Sequence, residues 1–319
     1  MAATVTPTEV LGFEAYAIEN PRVRAVVIPS LGGRVWELLD RVRDRQWIWH
    51  REGVALAAQP EGSSYDDVWA GGWEQLFPND APCEFEGRTL PDHGEWWTTA
   101  WTVAEASGGP EAVLRLDCES RLRGASCSKA FRLGADADTL NISYRIQSLE
   151  AEPFHFLFKE HLAVAISPSC ALILPGGRVT AVDSTFGTLL EGPGPYAWPR
   201  ALGPGGVSVD LARIPSRGTS AREFLYVAEL PAGWCGIDDA AHRASLRVRF
   251  ERRDLPFVWL FLSYGGWRDC YTAVLEPCTN MPKDLAAAVE HGTAARLSPD
   301  GVFATTVGIT MSGMLPAGG

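Results

Sequence analysis

The chain has little that would take it to a membrane or a polyanion. Its longest apolar run, Leu255 to Tyr264, is far shorter than the roughly 20 residues a spanning helix needs, so no membrane partner is expected. It has no tract rich in Lys and Arg, and 39 acidic residues outnumber 28 basic ones. Such a surface repels phosphate backbones, so no nucleic-acid partner is expected either. Met1-Ala-Ala-Thr-Val-Thr-Pro7 lacks a basic stretch followed by an apolar one, and no signal peptide is expected. The seven cysteines are odd in number and form no Cys-x-x-Cys pair. That argues against a disulfide frame and for free thiols in a reducing cytoplasm.

Chemical fingerprints are equally scarce. Leu31-Gly-Gly33 lacks the third glycine and the βαβ context of a dinucleotide site. There is no Gly-x-Ser-x-Gly elbow and no reactive-cysteine motif. Helical periodicity is nearly absent. Only Pro282 to Glu290 reads as a short helix, with Asn280 expected to cap it and Gly292 to end it.

What is abundant is period-two alternation in β-branched and aromatic runs. Strands are expected at Val23 to Pro29, Val35 to Leu39, Trp96 to Val103, Ala112 to Cys118, Ser126 to Leu133, Thr139 to Ser148 and Phe154 to Ile166. Later ones are Glu223 to Glu229, Ala244 to Phe250, Val258 to Tyr264, Thr272 to Glu276 and Val302 to Met311. Turn signals such as Ser107-Gly-Gly-Pro110 and Ser298-Pro-Asp-Gly301 separate them. Glu191 to Gly206, rich in Gly and Pro, reads as a long loop, and strands of the same character continue on both sides. The expectation is an all-β chain forming one large antiparallel sandwich over 1–319, with its core at about 10–312. Twelve tryptophans suit the packing of such a core; some also suit a platform for the apolar face of a sugar ring.

Two ionisable residues stand inside apolar strand-like runs: His161 in Phe156-Leu-Phe-Lys-Glu-His-Leu-Ala-Val164, and Glu276 in Tyr271-Thr-Ala-Val-Leu-Glu-Pro277. An ionisable group there is desolvated, so it normally has a partner or a chemical role. One imidazole and one carboxylate are enough to move a proton onto one oxygen while another loses one. Alternation puts His155, Leu157, Lys159 and His161 on one face of a regular strand and Glu160 on the other. A metal held by His155 and His161 is disfavoured, because no third ligand has a suitable spacing and Lys159 would repel a cation.

Five segments together resemble the aldose 1-epimerase (galactose mutarotase-like) superfamily. They are Pro29-Ser-Leu-Gly-Gly-Arg-Val-Trp36, Gly71-Gly-Trp-Glu-Gln-Leu-Phe-Pro78, Leu90-Pro-Asp-His-Gly-Glu95, Phe158-Lys-Glu-His161 and Leu275-Glu-Pro-Cys-Thr279. Tyr264-Gly-Gly-Trp267 is similar to an uncharacterised branch of that superfamily. The resemblance implies a large antiparallel β-supersandwich and the interconversion of α and β anomers of a free aldose. It implies His161 as general acid, Glu276 as general base and His93 as a sugar-binding histidine. The arginine that studied members carry near the position of Gly71 or Gly72 is missing, and Asp183 or Asp238 would stand for their substrate-binding aspartate.

Ring opening by that pair would need His161 charged and Glu276 ionised, a state their mutual attraction favours. No cofactor or metal is expected, because only protons move. Lys159 and Arg34 are expected beside the cleft, where they would favour an acidic sugar. Trp73, Trp96 or Trp97 is expected to stack on the ring. The partner is then a small sugar, and the protein a monomer or homodimer. The competing readings are a sugar-binding protein without turnover and a sugar-processing lyase on the same fold.

Overall fold

A computed structural model describes residues 2–314. Two large antiparallel sheets face each other. The twelve-stranded sheet runs from Thr4–Val10 at one edge through Phe13–Glu19, Val23–Ile28, Arg34–Asp40, Trp73–Leu76, Lys159–Ala165, Tyr271–Cys278, Phe257–Tyr264 and Ala221–Ala228 to Arg178–Ala181 and Tyr196–Ala197. The eight-stranded sheet has Val302–Gly313 and Thr139–Ser148 at its centre. This is the antiparallel β-sandwich that the alternation implied. Among the described residues no helix is long and apolar enough to cross a membrane.

Alternation explains which side of each strand meets the core. In Thr139–Ser148, Leu140, Ile142, Tyr144 and Ile146 are buried between the sheets, while Asn141 and Arg145 face water. Each such Leu or Ile removed from water contributes about 1.5–3 kcal/mol. The centre of the larger sheet departs from this pattern. Lys159–Ala165 opens with six consecutive buried residues, three of them Lys159, Glu160 and His161. Leu162 and Val164 point into the sandwich, whereas Ala163 belongs to a second apolar cluster on the opposite face. That second face is also covered, by loops and by a four-residue helix, Tyr65–Val68.

Glu160 takes the sandwich side, as alternation requires. It accepts hydrogen bonds from Trp73 Nε1 at 2.7 Å and Gln75 Nε2 at 2.9 Å. Gln75 in turn accepts from Lys129 Nζ of the opposite sheet at 2.9 Å, so a polar bridge joins the two layers. Burial pushes the Lys129 ammonium down to about 7.

Several local expectations are corrected. The run Phe154 to Ile166 is two strands, Phe154–Phe156 and Lys159–Ala165, which pair with different partners. His155 therefore leaves the face of His161 and meets Glu86 at the surface, 2.9 Å away. The short helix is Leu285–Glu290, and its cap is Asp284, which accepts from Ala287 N at 2.8 Å, rather than Asn280. Trp96 and Trp97 lie in a turn ahead of the strand Thr102–Ser107. Glu191 to Gly206 contains two short strands, Tyr196–Ala197 and Arg200–Gly203.

Candidate active site

Register builds the site. On one side of Lys159–Ala165, His161 pairs directly with Glu74. On the other, Lys159 faces Cys278 and Leu162 faces Leu275, an unchanged offset that sets His161 opposite Glu276. Glu276 is next paired with Trp259, and Trp259 with Tyr226. One row across the sheet thus reads Glu74, His161, Glu276, Trp259, Tyr226. Directly opposed side chains sit on one face with Cβ atoms about 4.5–5.5 Å apart, so a carboxylate flanks the imidazole on each side. Arg34 extends the row, because Val35 pairs with Trp73 and the Arg34 guanidinium forms an ion pair with Glu74.

Lys159, two residues from His161 on the same face, is clamped between two acids. Its Nζ contacts Asp80, and it lies 2.5 Å from Glu276 Oε2 and 4.2 Å from the centre of the Trp259 ring. All four of these groups are buried. Above them is a cavity of about 230 Å³. Its floor carries Lys159, His161, Glu276 and Asp80, with His93 and Asp92 on one side. Trp69, Trp267, Phe224 and Phe261 supply apolar wall. Trp69 meets His161 edge to face, with ring centres 5.3 Å apart.

The charges settle into a definite pattern. Burial opposes the Lys159 charge, but Asp80 and then Glu276 outweigh it and hold the ammonium above its ordinary value. Asp80 is likewise buried, yet Lys159 and His93 keep its carboxyl below the usual range. Glu276 goes the other way: burial raises it, and Lys159 reverses this only in part. One buried cation facing two buried acids leaves the second acid as the group most easily kept protonated. His161 is held well below the ordinary imidazole value by burial, then by Lys159, His93 and Arg34. Burial thus works against both charges expected here: it opposes an imidazolium at His161, where Lys159 adds repulsion, and a carboxylate at Glu276, where Lys159 restores part of what burial takes away. His93 is lifted above its ordinary value; burial works against this, and Asp80 and Asp92 overcome it.

Of the residues singled out in the sequence, His161, Glu276, His93 and Lys159 line this cavity together. Arg34, Trp73 and Trp97 do not. Arg34 is buried behind His161, held by Glu74 and by the Gly71 carbonyl at 3.3 Å. Trp73 points into the sandwich towards Glu160. Trp97 packs edge-on against Tyr65 from outside the cavity, with ring centres 5.0 Å apart. Asp183 lies at the cavity rim, whereas Asp238 pairs with Arg247 on the other sheet. The cavity also includes Tyr65, Trp69, Asp80 and Trp267, to which the sequence motifs assign no site role. The cluster of two tryptophans and two glycines at Trp69-Ala-Gly-Gly-Trp73 was the available signal for Trp69.

Gly72 makes room for the Arg34 side chain. Its φ is +103°, and a Cβ there would lie 2.8 Å from Arg34 Cδ. The bare backbone makes room for the Arg34 stem, which reaches this space from a neighbouring strand. Gly72→Ala is expected to destabilise the protein by roughly 1–3 kcal/mol, through both φ strain and displacement of Arg34. Urea unfolding measures this; an unchanged midpoint would show that the fit is slack.

No protein-family model matches the chain. Among solved structures, a galactose mutarotase-like protein from Clostridium acetobutylicum superposes with a TM-score of 0.68 at 12% identity, covering 97% of this chain and 98% of that one. A candidate aldose 1-epimerase from Klebsiella pneumoniae gives 0.71 at 11% identity, with 94% and 79% covered. A Synechocystis protein gives 0.70 at 16% identity, with 97% and 98% covered. The likeness extends over nearly the whole chain, and the fold is the galactose mutarotase-like β-sandwich.

Proposed function

We propose that the protein interconverts the α and β anomers of a free aldose. The observation that carries this reading is the pairing of His161 with Glu276 on adjacent strands at the floor of one sugar-sized cavity. The exchange needs one proton delivered and one removed. In this reading the shared proton begins on Glu276, because burial raises its carboxyl above the ordinary value while Asp80, the other acid beside Lys159, is held below it. Glu276 donates it to the ring oxygen while the uncharged His161 takes the proton of the C1 hydroxyl. The bond between C1 and the ring oxygen breaks and an aldehyde forms. After rotation about C1–C2 the ring closes on the other face. His161 returns its proton to the former carbonyl oxygen, and Glu276 recovers one from the C5 hydroxyl. Protons balance over the cycle, and no electrons are transferred. Relative to the roles implied by resemblance, the starting proton has moved from the imidazole to the carboxyl.

The charge layout supports an uncharged sugar over an acidic one. Both cations expected to attract an anion are already engaged, Lys159 by Asp80 and Glu276 and Arg34 by Glu74. Asp66, Asp92 and Asp183 add carboxylates around the opening, against Lys283 at the rim. An NMR time course on freshly dissolved α-sugars tests both points. Anomer exchange of glucose is expected to be accelerated, with kcat/KM on the order of 10-fold or more above that for glucuronate or glucose 6-phosphate. Sugar binding without acceleration would instead make this a binding protein. A preference for the acidic sugars would overturn the charge argument.

A further inference from the structure

Behind His161 runs a buried chain of polar groups that the proton transfer above does not use. Arg34 forms an ion pair with Glu74; Glu74 Oε1 accepts the hydroxyl of Tyr65; and the Tyr65 oxygen lies 3.1 Å from His161 Nδ1. All four residues are nearly inaccessible to solvent. Tyr65 is held from its other sides as well. Its ring stacks on His93 at 3.8 Å between centres and meets Trp97 edge-on, and its backbone N–H donates to Asp92 at 3.2 Å.

The order of donors follows from the ends of the chain. A guanidinium has only donors and never loses its proton in a protein, so the Glu74 carboxylate beside it accepts. The hydroxyl proton of Tyr65 therefore goes to Glu74, which leaves the phenolic oxygen as an acceptor. The group within reach of that oxygen is Nδ1 of His161, which must carry a hydrogen to complete the contact. We propose that Tyr65, anchored by Glu74 and Arg34, is a positioning residue that fixes His161 as its Nδ1-protonated tautomer, so that Nε2 presents its lone pair to the sugar. The proposal deepens the anomer-exchange reading and rests on it for its kinetic consequence. The same contact fixes the ring's orientation, since rotation about Cβ–Cγ would break it.

Two measurements test the assignment. In the sugar-free protein with 15N-labelled histidine, the six histidines are few enough to resolve, and His161→Asn identifies the signal of interest. A protonated Nδ1 and an unprotonated Nε2 are expected at neutral pH; the opposite tautomer overturns the proposal without reference to any activity. Tyr65→Phe keeps the stacking on His93 and removes only the hydroxyl. It is expected to lower kcat on the order of 10- to 100-fold with KM within about threefold, and to abolish the preference for the Nδ1 tautomer. An unchanged tautomer together with unchanged kcat would refute the role given to Tyr65. A wild-type protein that shows the Nδ1 tautomer yet exchanges no anomers would refute the reaction alone and leave the tautomer assignment standing.

Discussion

His161→Asn and Glu276→Gln are each expected to lower the rate of anomer exchange by about 100- to 10,000-fold, the range a well-placed proton-transfer group supplies. The two substitutions act on opposite ends of one proton path, so the double variant should be little slower than the worse single one. Neither change should unfold the protein. Glutamine matches glutamate in shape and removes a group whose ionised form is disfavoured by burial. Lys159 then keeps Asp80 as its counterion. Asparagine is smaller than histidine, but the loss lies at the cavity floor, where solvent can replace it. Exchange rates from NMR, with circular dichroism as a check on fold, decide the matter. Either variant turning over at a rate near that of the parent would remove His161 or Glu276 from the mechanism.

The sheet architecture was legible because its physics is local. Period-two burial in runs such as Thr139 to Ser148 is a property of each strand alone. The same rule separates Lys159 and His161 from Glu160 by sequence alone, and the structure keeps that division. It failed at Leu157 and Phe158, where the chain changes partners between two short strands, since nothing in the local pattern announces a change of neighbour. The strands Thr4–Val10 and Phe13–Glu19 were also passed over. The first is an edge strand that contains Pro7 and is mostly half-exposed or exposed, so it carries a weak hydrophobic signal.

The site was harder to read, and the reason lies in distance along the chain. That Trp73 faces the sandwich and Trp69 the cavity depends on how Trp73–Leu76 docks between two other strands. Tyr65 arrives on a helix too short for periodicity to reveal. Arg34 reads as a cleft residue because it follows two glycines, yet those glycines serve packing: a Cβ on Gly32 would lie 2.8 Å from the Trp96 carbonyl oxygen, and one on Gly33 would collide with the Lys129 side chain. Counter-charges are the least legible of all. Lys159 and Arg34 were expected to attract an acidic sugar, and only the fold reveals that Asp80 and Glu74 already meet them.

Removing the cation between the two acids should have the largest effect on stability. Lys159→Met keeps most of the stem against the Trp259 ring but leaves Asp80 and Glu276 buried without it. Breaking a buried ion pair from one side typically costs roughly 3–5 kcal/mol, and that loss is expected at pH 7. Its pH dependence has a definite sign. In the parent, Asp80 is held below the ordinary carboxylate value, so its contribution is present at neutral pH and lost as pH falls through that lowered value. The Lys159 charge is favoured in the fold, so its contribution is complete at every pH below its ordinary value. In the variant the main opposition to burial is gone, with His93 left near both carboxyls and Lys283 near Asp80, and burial raises the carboxyls above their unfolded values. The folded variant then binds more protons than the unfolded chain, and its stability drops as pH rises through those values. The deficit relative to the parent should therefore be smaller at pH 5 than at pH 7. Denaturant unfolding at the two pH values reads this directly. A deficit that is absent, or equal at both, would mean that water already screens the clamp and that Glu276 is not the desolvated acid from which the proton transfer begins.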